Sequence, residues 1–256
     1  MHKWKVVPLS LNQLRDVRKE DVLEDGIFRK CDTYRGGGGY DQFPIICEKR
    51  LGERRHHQFV VQLFGCNLDC PYCYVTREGV WGEPIQITTE QLVQAFQRSG
   101  QEVFHLMGGA PALQMKHWPE LIDELFTKVP AAVFHSDIML TENVYQKEII
   151  KAISRDRCLY AIDIKGIDDI EWYTNTRKKF NAHLFWRNID TIMQCNSPEH
   201  FYFTFTGCNK QGVESFIERI NNFFGPVWTK DYFNIDLIEY NAQPYVDSVP
   251  WGGKSE

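Results

Sequence analysis

Gln58-Phe59-Val60-Val61-Gln62-Leu63-Phe64 runs without a break into Gly65-Cys66-Asn67-Leu68-Asp69-Cys70-Pro71-Tyr72-Cys73-Tyr74. The first part is rich in β-branched and aromatic residues and reads as a buried strand. The second part places three cysteines at a C-x3-C-x2-C spacing in the loop that follows. Thiolates this close can hold a metal ion or a cluster, and no fourth cysteine lies nearby. Structural zinc almost always takes four protein ligands, often as two paired sets. The chain has no second C-x2-C and no H-x3-H pair. A three-cysteine iron–sulfur cluster leaves one iron without a protein ligand and open to a small molecule. That open iron favours catalysis over simple electron transfer.

Downstream of this loop the chain alternates between strand and helix patterns. Thr88-x-x-Gln91 has capping-box form and opens a helix with Leu92, Val93 and Phe96 inward. Strands are read at Val103 to Met107, Ala131 to His135, Cys158 to Lys165, His200 to Thr206 and Phe233 to Tyr240. Helices are read around Leu121 to Phe126, after a Thr141 cap through Ile153, from Ala182 to Met193, and over Val213 to Phe224. Six strand–helix alternations with mostly apolar strands imply an α/β fold with a parallel sheet. Six units fall short of the eight of a closed barrel, so a partial (β/α)6 barrel is expected. Polar residues gather at the strand ends: the cysteine loop, Gly108-Gly109, His135-Ser136-Asp137, Asp163 with Lys165, Thr204 with Thr206, and Glu239-Tyr240-Asn241. In parallel α/β folds that edge is where ligands bind.

Residues 1–55 read as an N-terminal extension or lid, 56–241 as the barrel, and 242–256 as a tail. The extension holds an amphipathic stretch at Leu11, Leu14 and Val17 and the run Gly36-Gly37-Gly38-Gly39. That run reads as a hinge rather than a phosphate cradle, because the lysine and hydroxyl residue of a phosphate-binding loop are missing. A net charge of −5 argues against broad binding to nucleic-acid phosphates, the local Arg54-Arg55-His56-His57 patch notwithstanding. No apolar run reaches the roughly eighteen residues of a membrane span, and Met1-His2-Lys3-Trp4-Lys5 is not followed by an apolar export segment. With three of eight cysteines in one loop, a reducing cytoplasmic setting with metal-binding thiols is expected.

The Cys66-x3-Cys70-x2-Cys73 loop, with aromatic Tyr72 before its last cysteine, resembles the signature of the radical SAM superfamily. Gly108-Gly109-Ala110-Pro111 resembles that family's Gly-Gly-Glu-Pro stretch, whose backbone receives the amino group of S-adenosylmethionine, with Ala110 in place of the acid. The resemblance implies a [4Fe–4S] cluster on Cys66, Cys70 and Cys73, its fourth iron chelated by S-adenosyl-L-methionine. It further implies reductive cleavage to a 5′-deoxyadenosyl radical that abstracts hydrogen from substrate. A low-potential electron donor of flavodoxin or ferredoxin type would supply the electron, and a small-molecule or nucleotide-like substrate or a partner protein would receive the radical.

Asp163-Ile164-Lys165 resembles the Asp-x-Lys of glycyl-radical-enzyme activases, which lies near the methionine carboxylate. Lys165 is therefore a candidate for that carboxylate; the alternative is a plain Asp–Lys pair. His135-Ser136-Asp137 stands where activases and 7-carboxy-7-deazaguanine synthases carry Thr-Asn-Gly, so Ser136 or Asp137 is a candidate ribose contact. His135 reads either as a substrate acid or base or as a hydrogen-bonded structural histidine. Thr204 and Thr206 share a strand face toward ribose or substrate, and Ile238 falls where the family cradles adenine. The lead-in Gly52-Glu53-Arg54-Arg55-His56-His57 departs from the activase pattern, which ranks an activase second to an enzyme acting on a small molecule. A non-catalytic iron–sulfur or zinc protein is the rival from another class.

Overall fold

A computed structural model of the chain describes residues 2–8, 19–31, 51–71, 83–140, 145–195, 200–224 and 233–234. In order the elements are β1 (Lys3–Val6), β2 (Val22–Leu23), β3 (Phe28–Cys31), β4 (Gln58–Gln62), β5 (Ile85–Thr88), α1 (Thr89–Ser99), β6 (Val103–Met107), α2 (Trp118–Lys128), β7 (Val133–Ile138), α3 (Lys147–Ile153), β8 (Cys158–Ile164), α4 (Asp169–Thr176), α5 (Ala182–Cys195), β9 (Phe201–Phe205), α6 (Lys210–Phe224) and β10 (Phe233–Asn234). Among the described residues one sheet runs β10-β9-β8-β7-β6-β4-β3-β2 and a second pairs β1 with β5. From β4 to β10 the six strands are parallel, as the alternation of patterns requires. The sheet is open, with β2 and β10 at its edges, and forms a partial barrel.

The described part of the N-terminal extension takes an edge position. β3 adds antiparallel to β4 and β2 to β3, while β1 pairs with β5 just before α1. The Leu11–Val17 stretch, the glycine run, Thr141, Val144 and most of the Phe233 to Tyr240 segment lie outside the described residues.

Period-2 alternation sorts each strand onto two faces. Phe59, Phe104, Phe134, Tyr160 and Phe201 form a ladder of rings on the outer face, with neighbouring centroids 5.0 to 6.1 Å apart. Trp118 of α2 and Phe96 of α1 close over it from the helix layer. Such contacts add about 0.5–1.5 kcal/mol per pair beyond area burial. The inner face has an apolar floor of Leu51, Val103, Val133, Leu159, Ala161 and Tyr202. Further along the same strands the inner positions turn polar.

Helix ends follow local chemistry. The Thr88 hydroxyl accepts from Gln91 N (3.2 Å) and the Gln91 side chain accepts from Thr88 N (2.9 Å), completing the capping box read from the sequence. Thr88→Ala is expected to cost about 1 kcal/mol. A melting point lowered by about 2–4 °C in thermal unfolding would report it. Two readings need correction. α3 starts at Lys147 after an uncapped Gln146, five residues later than a Thr141 cap requires, because the apolar period only becomes regular at Ile149. β7 runs Val133–Ile138, so Ala131 and Ala132 precede it and Asp137 belongs to the strand. No helix among the described residues is long and apolar enough to cross a membrane.

Candidate functional site

The cysteine loop leaves β4 through Leu63, whose N–H donates to Met107 O (2.8 Å) at the end of β6. Gly65 follows in the left-handed region (φ +92°), turning the chain toward Cys66. Cys66 is half-buried and accepts from Leu68 N–H through its sulfur (3.4 Å), and Cys70 is buried. Asp69 N–H donates to Thr176 O (2.9 Å), tying the loop to the C-terminal end of α4. Tyr72 and Cys73 lie outside the described residues.

Gly108 and Gly109 both take positive φ, +69° and +54°. The Ala110 N–H donates to Gly65 O (2.8 Å), so this turn lies directly against the loop that carries Cys66. A Cβ on Gly109 would meet the carbonyl oxygens of Leu63 and Gly65, and one on Gly108 would overlap the Gln62 side chain. The glycine pair is thus required by a close backbone approach as well as by its dihedrals.

At the end of β8, Lys165 Nζ donates to Asp163 Oδ2 (2.5 Å), and both side chains are largely buried. Thr206 donates to Asp163 Oδ1 (3.2 Å) and Thr204 lies at 3.5 Å from the same oxygen. Asn175 of α4 donates to the carbonyls of Lys165 (2.8 Å) and Gly207 (3.0 Å), clamping the ends of β8 and β9. α4 was not read from the sequence. It is weakly amphipathic, with Ile170 and Tyr173 exposed, and its signal is the Asp168 side chain, which accepts from Ile170 N (2.9 Å) and Glu171 N (2.8 Å). This helix joins the cysteine loop to the Lys165 strand end.

Ser136 and Asp137 part company. Ser136 is fully buried on the outer face and donates to Leu106 O (3.1 Å), so it does not face the polar edge; adjacent strand residues point to opposite sides. Asp137 faces inward. Burial pushes its carboxyl up, but His105, His135 and Lys165 around it outweigh that and hold it below the usual range. His135 is buried, with Nε2 2.9 Å from the Tyr202 hydroxyl. Burial, reinforced by the neighbouring His105, lowers its pKa to about 3, so the ring is neutral. Cys208, whose sulfur lies 3.6 Å from Ile164 O, is buried, and burial pushes its thiol well up; it is not a ready ligand.

Sequence reading missed His105, Gln58 and Arg29. His105 Nδ1 lies 2.6 Å from Gln58 Oε1, and the buried Arg29 guanidinium reaches Met107 Sδ at 3.4 Å. The available signal was polar residues at period two inside apolar strands: Gln58 and Gln62 in β4, and His105 in β6, level with His135.

Residues 60–220, well over half of the chain, match the family model described as the Radical SAM superfamily. Among solved structures the chain is similar to native anSMEcpe with bound AdoMet and Cp18Cys peptide, at 16% identity and a TM-score of 0.42, over 66% of this chain and 47% of that one. It is also similar to native anSMEcpe with bound AdoMet, at 15% identity and a TM-score of 0.42, over 66% and 48%. The chain therefore spans about half the length of these structures. No curated protein matches it.

Proposed function

The chain belongs to the radical SAM superfamily, and from that premise we propose that Cys66, Cys70 and Cys73 bind the cluster and that the neighbouring strand ends bind S-adenosyl-L-methionine. Family membership makes the protein an enzyme and implies a [4Fe–4S] cluster and S-adenosyl-L-methionine as its cofactors. The donor set fits: soft thiolates suit iron–sulfur clusters, and the glycine turn leaves a backbone surface with no Cβ beside the Cys66 loop. When bound, the reduced cluster supplies the electron that cleaves S-adenosylmethionine to methionine and a 5′-deoxyadenosyl radical.

The chain's own residues then bind, orient and exclude water. Backbone groups of the Gly108-Gly109 turn would receive the methionine amino group. Lys165 would hold its carboxylate; an ammonium has three donors, so the Asp163 contact does not preclude a second carboxylate. Asp163 fixes the lysine and is itself held by Thr206 and Thr204. Asp137, rather than Ser136, is the candidate ribose contact, with Tyr72 and Ile238 assigned to the cofactor on resemblance alone. We keep 1–55 as an extension or lid, 56–241 as the barrel and 242–256 as a tail.

The substrate proposed is a small or nucleotide-like molecule, with a flavodoxin- or ferredoxin-type electron donor. A glycyl-radical-enzyme activase is the second reading, favoured by the Asp163–Lys165 pairing at the Asp-x-Lys position. The free thiols of Cys158, Cys195 and Cys208 support a reducing, cytoplasmic setting. The observation that carries the reading is the Ala110 to Gly65 hydrogen bond, which docks the glycine turn on the cysteine loop.

Anaerobic reconstitution followed by dithionite and S-adenosylmethionine tests it. Formation of 5′-deoxyadenosine and a changed EPR signal of the reduced cluster are expected. No product and an unmoved signal, or zinc without iron in anaerobically isolated protein, would overturn it. Lys165→Ala is expected to weaken S-adenosylmethionine binding by about tenfold or more, the scale of a lost charge-assisted hydrogen bond. Equilibrium dialysis measures this, and unchanged binding removes Lys165 from the site.

A further inference from the structure

We propose that His105, His135 and Asp137 form a second metal site, binding one divalent first-row transition-metal ion on the inner face of the sheet. His105 and His135 stand level on adjacent parallel strands, their rings 4.3 Å apart between centroids, and Asp137 is the next inward residue along β7. One ligand atom from each of the three lies within 4.8 Å of the others. His105 Nε2 is 3.8 Å from Asp137 Oδ2, too long for a hydrogen bond.

Two observations point to a missing ligand. His105 Nε2 and His135 Nδ1 are both buried with no hydrogen-bond partner, and buried polar atoms are rarely left so. The opposite nitrogen of each ring is engaged. His105 Nδ1–H donates to Gln58 Oε1 (2.6 Å), which leaves the lone pair on Nε2. In the tautomer where His135 Nε2–H donates to the Tyr202 hydroxyl (2.9 Å), its lone pair is on Nδ1. A ligating histidine whose other nitrogen donates to an oxygen is the usual second-shell arrangement.

Two imidazole nitrogens and one carboxylate oxygen suit a first-row divalent ion and leave it positions for water or a substrate oxygen. Bond lengths of about 2.0–2.2 Å put ligand atoms roughly 3.0–3.6 Å apart, a closure that side-chain rotation can supply. The site differs from the cysteine loop in ligand type, nitrogen and oxygen against thiolates, but shares Asp137 with the proposed ribose contact, so it would border the S-adenosylmethionine site.

The test uses the reconstituted holoenzyme and Mn²⁺, which favours nitrogen and oxygen over thiolate. The oxidised cluster is EPR-silent, so bound Mn²⁺ is counted by loss of the six-line signal of the free ion. One Mn²⁺ per chain is expected in the wild type, with affinity at least tenfold weaker in His105→Gln and in Asp137→Asn. Iron content and S-adenosylmethionine binding of His105→Gln should stay at wild-type level, which separates this site from the cluster. If His105→Gln does not fold, the near-isosteric Asp137→Asn at a half-buried position decides. A Mn²⁺ signal that stays free at millimolar concentration, or variants that bind as the wild type does, would overturn the proposal.

Discussion

Cys66→Ala is expected to abolish 5′-deoxyadenosine formation and to lower iron from about four per chain toward zero after reconstitution. The proposed ligand set has three thiolates, and among the described residues Cys208 and Cys158 are poor substitutes: both are buried, burial pushing the Cys158 thiol to about 11 and that of Cys208 higher still. Cys66 is a cleaner target than Cys70. Cys70 packs into the apolar core beside Leu68, so its truncation would mix loss of a ligand with a packing defect. Cys66 is half-buried at the margin of that core, so its truncation removes less packing than that of Cys70. The melting point of cluster-free protein should therefore match the wild type within about 1 °C, a surface-like cost. A variant that kept its iron and still released 5′-deoxyadenosine would remove Cys66 from the ligand set.

What the sequence made legible was the part written in regular periods. The order of the six parallel strands, the Thr88 capping box and the period of α6 are each set by local pattern and were legible, although β7 is displaced from its reading and only Phe233–Asn234 of the sixth strand is described. α4 was missed because a short helix with Ile170 and Tyr173 facing solvent has no apolar stripe; its start is written only in the Asp168 cap. The polar strand ends were legible as a group, but not their facing. Ser136 lies outward and Asp137 inward because β7 runs on through Ile138, past the His135 at which it was read to end, and neighbouring strand residues face opposite sides. His105 was invisible for a different reason. A single histidine in an apolar strand gains meaning only from its register partner, His135, and strand order is a long-range property.

Gly109→Ala is expected to cost about 3 kcal/mol at the cofactor turn, a loss of roughly 150-fold in S-adenosylmethionine affinity if it falls wholly on the bound state. Holding a side chain at φ +54° costs about 1–2 kcal/mol. The added methyl would also sit 2.6 Å from Leu63 O and against Gly65 O, and neither is a side chain that can swing away. Gly65 O already accepts from Ala110 N–H (2.8 Å), so relief by backbone movement breaks that hydrogen bond, adding about 1 kcal/mol. Gly100→Ala is the control that isolates the clash. Gly100 caps α1 at φ +67°, a similar dihedral, with nothing within 4 Å of its Cβ position. It should lose the dihedral cost in stability and leave S-adenosylmethionine binding untouched. Thermal unfolding of the two variants separates the causes: equal losses of stability would mean that conformational freedom alone selects glycine at 109. A larger loss in Gly109→Ala, accompanied by weaker S-adenosylmethionine binding, would mean that the cofactor turn depends on its contact with the loop that carries Cys66.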